Sequence, residues 1–191
     1  TASVLTNTTW VNGLFQLTFE EQTQLKLVLG LAANTSTSMV SASSALVKDT
    51  TGNNMAARTT AQAVQATYTA DATRPVLLSF DLDMSAETMS ITFTEVVLLP
   101  LNMSALAVAS SNAGDNAIPF VTSTVLNNTG TTLSVSVNVS HEDANRFRSN
   151  AAVGTANTTT WLVPSDAAVA DPAGNVVAAS VIQVSTFVAD A

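Results

Sequence analysis

Apolar and polar positions alternate with period two along several stretches of the chain. Leu133, Val135, Val137 and Val139 alternate with Ser134, Ser136, Asn138 and Ser140, the pattern of a strand with one buried face. Leu78, Phe80 and Leu82 alternate with Ser79, Asp81 and Asp83, and Met89, Ile91 and Phe93 with Ser90, Thr92 and Thr94. Ser85-Ala86-Glu87 between them predicts a turn, so hydrophobic register alone pairs the two segments as a hairpin. Leu98-Leu99-Pro100-Leu101 then leads out of the sheet. Nearer the start, Val11, Phe15 and Leu17 fall on one face around Gly13, which predicts a hairpin within residues 1–17. Two short helices are also predicted. Thr18-Phe19-Glu20-Glu21 and Ser140-His141-Glu142-Asp143 each place a hydroxyl N-cap three residues before an acid. The first helix is expected to run to about Leu29, with Leu25, Val28 and Leu29 on its apolar side and Gly30 as its stop. The second is shorter and more polar, through Phe147. Residues 31–45 read as a Ser/Thr-rich loop and a strand.

One turn occurs twice. Val47-Lys48-Asp49-Thr50-Thr51-Gly52-Asn53 and Val169-Ala170-Asp171-Pro172-Ala173-Gly174-Asn175 share the pattern V-x-D-x-x-G-N at a spacing of 122 residues. Asp caps backbone N–H groups there, Gly supplies a positive φ and Asn tolerates left-handed geometry. Two copies in register make an internal repeat. The same spacing relates the helix caps Thr18 and Ser140, the apolar anchors Leu25 and Phe147, and Val40 and Leu162. Asn34-Thr35-Ser36 aligns with Asn157-Thr158-Thr159 if the second copy holds one extra residue. Tyr68-Thr69-Ala70-Asp71 aligns with Phe187-Val188-Ala189-Asp190 at a spacing of 119. Two domains follow, 1–71 and 72–191. The first has no counterpart of residues 72–121, so it is expected to lack its opening strands. The chain ends where a linker like Ala70–Pro75 would begin again.

Composition narrows the class. Apolar residues make up 47% of the chain and charged residues only 10%. Thr, Ser, Ala, Asn and Val stand where Lys and Glu are usual, which favours strands over long helices. A surface solvated by hydroxyls and amides is poorly protected against association, and it makes sense if coated by glycans or buried between subunits. The net charge of −8 and the absence of a basic stripe exclude a nucleic-acid partner. The absence of Cys excludes disulfides, thiol catalysis and Cys-based zinc sites. No apolar run reaches membrane-spanning length.

Many short strands with turn signals about every 8–12 residues predict an antiparallel sandwich. Pro75-Val76-Leu77-Leu78-Ser79-Phe80, Ile91-Thr92-Phe93-Thr94-Glu95-Val96-Val97, Ser140-x-x-Asp143 and the Val169–Asn175 turn together resemble a bacterial-type Ig-like domain. Domains of that kind occur in tandem in adhesins, S-layer-type proteins and surface proteins of microbes and algae. The resemblance covers the whole second copy and the later two-thirds of the first. It implies an all-β fold of two tandem Ig-like antiparallel β-sandwich domains, each with one short helix. It also implies an extracellular or cell-surface spacer, adhesion or fibre role and no enzymatic activity, so no catalytic residues are expected.

Direct chemical meaning attaches to N-x-[ST], which occurs at Asn7, Asn34, Asn102, Asn127, Asn138 and Asn157. These are expected N-glycosylation sites. A calcium site from Asp71, Asp81 and Asp83 is disfavoured, because no D-x-[DN]-x-[DN]-G loop is present; no metal or cofactor is expected. His141, the lone histidine, aligns with Phe19 at a helix start, where packing or surface exposure explains it. Trp161, in a Thr-Trp-Leu-Val strand, reads as core, whereas Trp10 is free to stack on a sugar. Glu95 has no second carboxylate paired with it by the repeat. The leading expectation is a glycosylated extracellular filament subunit whose partners are copies of itself; the missing strands of the first domain leave three readings open, a piece of a longer tandem protein, a smaller domain closed by residues 1–17, or a strand donated by a neighbouring copy. The alternative is a monomeric adhesin or carbohydrate-binding spacer using Trp10 or Tyr68 at a concave site. An enzyme-associated role would require Glu95 to act as a catalytic carboxylate.

Overall fold

The period-two segments become strands in the computed structural model, which describes residues 9–11, 14–65 and 67–190. The chain divides into two units, Thr1–Asp71 and Ala72–Ala191. Strands and turns dominate both, and the fold class is all-β; the described residues form only two short α-helices, one in each unit.

In the first unit β1 (Thr9–Val11) and β2 (Leu14–Gln16) form an antiparallel hairpin with Trp10 opposite Phe15. Asn7 and Gly13 lie outside the described residues. Helix α1 (Phe19–Leu27) opens with a capping box. The Thr18 hydroxyl accepts the Glu21 N–H at 3.2 Å, and the Glu21 carboxylate accepts the Thr18 N–H at 3.0 Å. The helix stops two residues before Leu29 because Val28 turns to extended backbone, φ −93° and ψ 95°. Leu29 is therefore exposed instead of completing an apolar face. A 3₁₀ turn at Thr35–Thr37 precedes β3 (Met39–Val40), which pairs antiparallel with β4 (Val64–Gln65).

The second unit holds β5 (Leu77–Asp83), β6 (Thr88–Leu98), β7 (Leu106–Ala109), β8 (Ile118–Pro119), β9 (Thr124–Val125), β10 (Thr131–Asn138), α2 (His141–Arg148), β11 (Trp161–Pro164), β12 (Ile182–Gln183) and β13 (Thr186–Val188). They form a five-stranded sheet in the order β13-β5-β6-β10-β9 and a four-stranded sheet in the order β12-β11-β7-β8. Phe80, Leu82, Ile91 and Phe93 of the first sheet and Leu106, Val108 and Leu162 of the second share one buried cluster, a β-sandwich-like arrangement. Phe120 and Phe147 meet edge to face within it, ring centres 5.3 Å apart.

Three details differ from the sequence pattern. A bulge between Leu77 and Ser79 shifts β5 against β6, so Leu77 is buried and Leu78 faces out; one extra residue moves a side chain to the opposite face. A second bulge between Thr132 and Ser134 leaves Leu133 half-buried, while Val135, Val137 and Val139 are fully inside. The sheets are also not wholly antiparallel. The chain passes from β12 in one sheet directly to β13 in the other, and β13 runs parallel to β5.

The repeat is written in the hydrogen bonds. Asp49 N–H donates to Asn53 O at 2.9 Å, and Asp171 N–H to Asn175 O at 3.0 Å. The Asp49 carboxylate accepts the N–H groups of Thr51 and Asn53, and the Asp171 carboxylate those of Ala173 and Asn175. Helices α1 and α2, the 3₁₀ turns at Thr35–Thr37 and Asn157–Thr159, and strands β3 and β11 all begin 122 residues apart. The second copy therefore has no extra residue before Asn157. Thr35, not Asn34, is its counterpart. A threonine sets both turns: Thr37 Oγ1 accepts the Asn34 N–H and Thr159 Oγ1 the Ala156 N–H, each at 3.0 Å. Gly52 and Gly174 hold φ +89° and +92°, with open space where a Cβ would stand. Strain alone then sets the cost of a side chain. Gly174→Ala is expected to lower stability by about 1–2 kcal/mol in chemical denaturation, with no change in folded-state spectra.

Candidate functional site

The two units differ in what covers their shared framework. In the second unit β11 lies between β12 and β7, and β10 lies between β9 and β6. In the first, β4 stands where β12 does. Met39 is opposite Gln65 as Trp161 is opposite Gln183, and the two Gln side chains each donate at 3.0 Å, to Thr35 O and Asn157 O. Among the described residues, the other edge of β3 and the corresponding edge of β2 carry no strand. These are the edges that β7 and β6 occupy in the second unit.

The apolar side chains record the same difference. Val40 is 57% exposed, where its counterpart Leu162 is fully buried. Val47 is 42% exposed against 6% for Val169, and Leu46 is exposed where Ala168 is buried. Val40 and its cross-strand partner Val64 lie on one side of the β3–β4 pair, both exposed, and Met39 lies on the other. Nearby in the chain, Lys48 bridges Asn54 and Arg58 bridges Ala42. Both cations are exposed and make no ion pair among the described residues. The neighbouring Asp49 carboxyl is lowered to about 2, chiefly by the Asn53 and Thr51 side chains that donate to it.

Asp143 aligns with Glu21 but closes no capping box; the Ser140 N–H donates to the Ser123 hydroxyl, and the Asp143 carboxylate serves other donors. Its side chain is fully buried. It accepts the N–H groups of Val121, Thr122 and Ser123 at 2.9–3.1 Å, the Ser123 hydroxyl at 2.7 Å and Arg146 Nη1 at 3.1 Å. Burial pushes its carboxyl up, but the Ser123 hydroxyl and the three backbone donors outweigh burial and hold it at about 2. This carboxylate pins the 121–123 loop to the start of α2. The sequence marked it only as a helix cap.

Five of the six glycosylation sequons fall on described residues, and Asn34, Asn102, Asn127, Asn138 and Asn157 are all exposed. Asn34 caps its 3₁₀ turn through Oδ1, accepting the N–H groups of Ser36 and Thr37. Asn127 sits at a positive φ of 54°, and Asn138 closes β10. His141 is exposed, and its Nδ1 lies 2.8 Å from Glu87 Oε1, which also accepts Arg148 Nη1 at 2.9 Å. His141 and Arg148 together hold the Glu87 carboxyl below its ordinary value. Trp161 is half-buried and donates Nε1–H to Thr158 O at 3.1 Å, so Leu162, its neighbour on the opposite face, is the core residue of that strand. The Trp10 side chain lies outside the described residues, and Tyr68 is half-buried.

Asp71, Asp81 and Asp83 each meet a donor. Asp71 pairs with Lys26 at 2.6 Å. Asp83 caps the Ala86 N–H at 2.7 Å, and Asp81 accepts the Ser90 hydroxyl at 3.2 Å. Asp81 and Asp83 line an open groove of about 510 Å³ on the outer face of the five-stranded sheet, with Ser90, Ser136, Leu126 and Val188; no lining side chain is aromatic. Glu95 does have a carboxylate neighbour. Asp171 lies within 4.8 Å of it, and both are buried. The backbone bridge of Leu98 to Ala170 brings β6 against the repeated turn; residues so distant in sequence left no signal of that approach.

Among the described residues, no helix is long and apolar enough to cross a membrane. No family model, curated protein or solved structure matches the chain.

Proposed function

We propose that the chain is a structural subunit of an extracellular glycosylated filament or surface fibre, built from two tandem Ig-like sandwiches and assembling end to end. The observation that carries this reading is the exposure of Val40 and Val47, whose counterparts in the second unit, Leu162 and Val169, are buried. A complete unit and an uncovered unit on one chain make a heterologous contact, and such contacts propagate into filaments when they do not close. The charge-poor surface offers little repulsion between copies. The exposed Asn34, Asn102, Asn127, Asn138 and Asn157 are the expected glycan sites, together with Asn7. Neither a cofactor nor a catalytic residue is part of this reading.

Electron microscopy of the concentrated native protein is expected to show filaments, with intact mass falling on glycosidase treatment. Monodisperse monomers at every concentration would reject the polymer. An unchanged mass would reject the glycans alone. The alternative is a monomeric adhesin or carbohydrate-binding module using Trp10 or Tyr68 at a concave site; glycan binding lost on Trp10→Ala would favour it over the filament. The filament reading is preferred for the apolar residues Val40 and Val47, exposed where Leu162 and Val169 are buried.

A further inference from the structure

We infer that the edge of β3 that carries no strand among the described residues receives an extended segment of a second copy of this chain, added antiparallel in the register that β7 takes on β11. The inference rests on reading the chain as a polymer subunit and specifies the contact. The pairing of Leu162 with Val108 and of Trp161 with Ala109 transfers to the first unit as an apolar residue opposite Val40 and a small one opposite Met39. Backbone pairing supplies affinity in such strand addition, and alternate side chains supply selectivity.

Charge adds a further constraint beside that edge. In the second unit Leu98 N–H donates to Ala170 O at 2.8 Å. The counterpart of Ala170 is Lys48, so a strand passing the same point on the first unit meets an ammonium where the second unit has a methyl. Arg58 bridges Ala42, two residues beyond the end of β3. Among the described residues these two exposed cations make no ion pair, in a chain whose net charge is −8. The surface is therefore complementary to an acidic chain with an apolar strand face, and another copy of this molecule has that character.

Hydrogen exchange of the full chain across the concentration at which it associates tests the contact. Exchange at residues 39–41 is expected to slow by about tenfold or more on association. Val40→Asp is expected to abolish association. Lys48→Glu, at an exposed position where folding is not at risk, is expected to weaken it measurably. Association with residues 39–47 as exchangeable as in the monomer, or association unaffected by both substitutions, overturns the inference and leaves the polymer reading standing. Absence of association at any concentration overturns the polymer reading instead. The edge is then read with a synthetic peptide of Leu101–Ser110, the β7 segment. Saturable slowing at Val40 upholds the strand-accepting edge, and no slowing there overturns the inference too.

Discussion

Asp143→Ala is expected to destabilise the second unit by roughly 3–5 kcal/mol, the range for removing one partner of a buried charged network. The substitution leaves the Val121, Thr122 and Ser123 N–H groups and the Ser123 hydroxyl without their shared acceptor, and each buried donor then carries its own desolvation cost. It also strips Arg146 of its carboxylate partner. Calorimetry should show the loss in the transition of residues 72–191, with hydrogen exchange accelerated first at residues 121–123. Asp143→Asn keeps the size and one acceptor oxygen but turns an NH₂ group towards donors, so it should recover only part of the loss. The pH dependence has a definite sign. The folded-state carboxyl titrates near 2, below its ordinary 3.8. Its contribution is therefore complete above the ordinary value and is lost as pH falls through about 2. Stability of the native chain should fall across that window, and the Ala variant should be flatter there. An equal acid response in both proteins would show that Asp143 does not carry the effect.

Phe147→Ala is expected to cost about 3–5 kcal/mol, as a buried aromatic truncation does, while the repeat-equivalent Leu25→Ala costs less than about 1 kcal/mol. Phe147 is fully buried and packs edge to face on Phe120. Phe120 belongs to the segment, 72–121, that has no counterpart in the first unit. Leu25 occupies the same place on α1 but is only half-buried. The comparison thus measures how much of the anchor's value comes from the opening strands rather than from the helix itself. Denaturant titration of the two variants gives the difference directly. Equal losses would mean that the first unit is as tightly packed as the second.

Much of this architecture was legible from residue order because it depends on local rules. The capping residues Thr18 and Ser140, the repeated Asp-x-x-Gly-Asn turn and the β5–β6 hairpin each announce themselves within a few residues. The constant spacing of the repeat carried those features from one unit to the other. What was missed depends on contacts between distant segments or on single-residue irregularities. Leu78 alternates with Phe80 and Leu82 as well as a core residue would, and only the bulge at Leu77–Ser79 turns it outward. Asn34 and Asn157 share a sequon but not a structural position, because the threonine hydroxyls, not the asparagines, set the register of the two turns. The parallel placement of β13, the approach of Glu95 to Asp171 and the burial of Asp143 all arise from pairings across the fold, for which residue order holds no marker.

The parallel pairing of β13 with β5 has a mechanical consequence. These two strands are the first and last of the second unit, and they lie side by side through the register Asp81–Thr186, Leu82–Phe187 and Asp83–Val188. Tension applied at the two ends of that unit pulls neighbouring strands in opposite directions along their length. The ladder is then sheared as a whole instead of being peeled open one hydrogen bond at a time, the geometry in which a short seam resists stretching best.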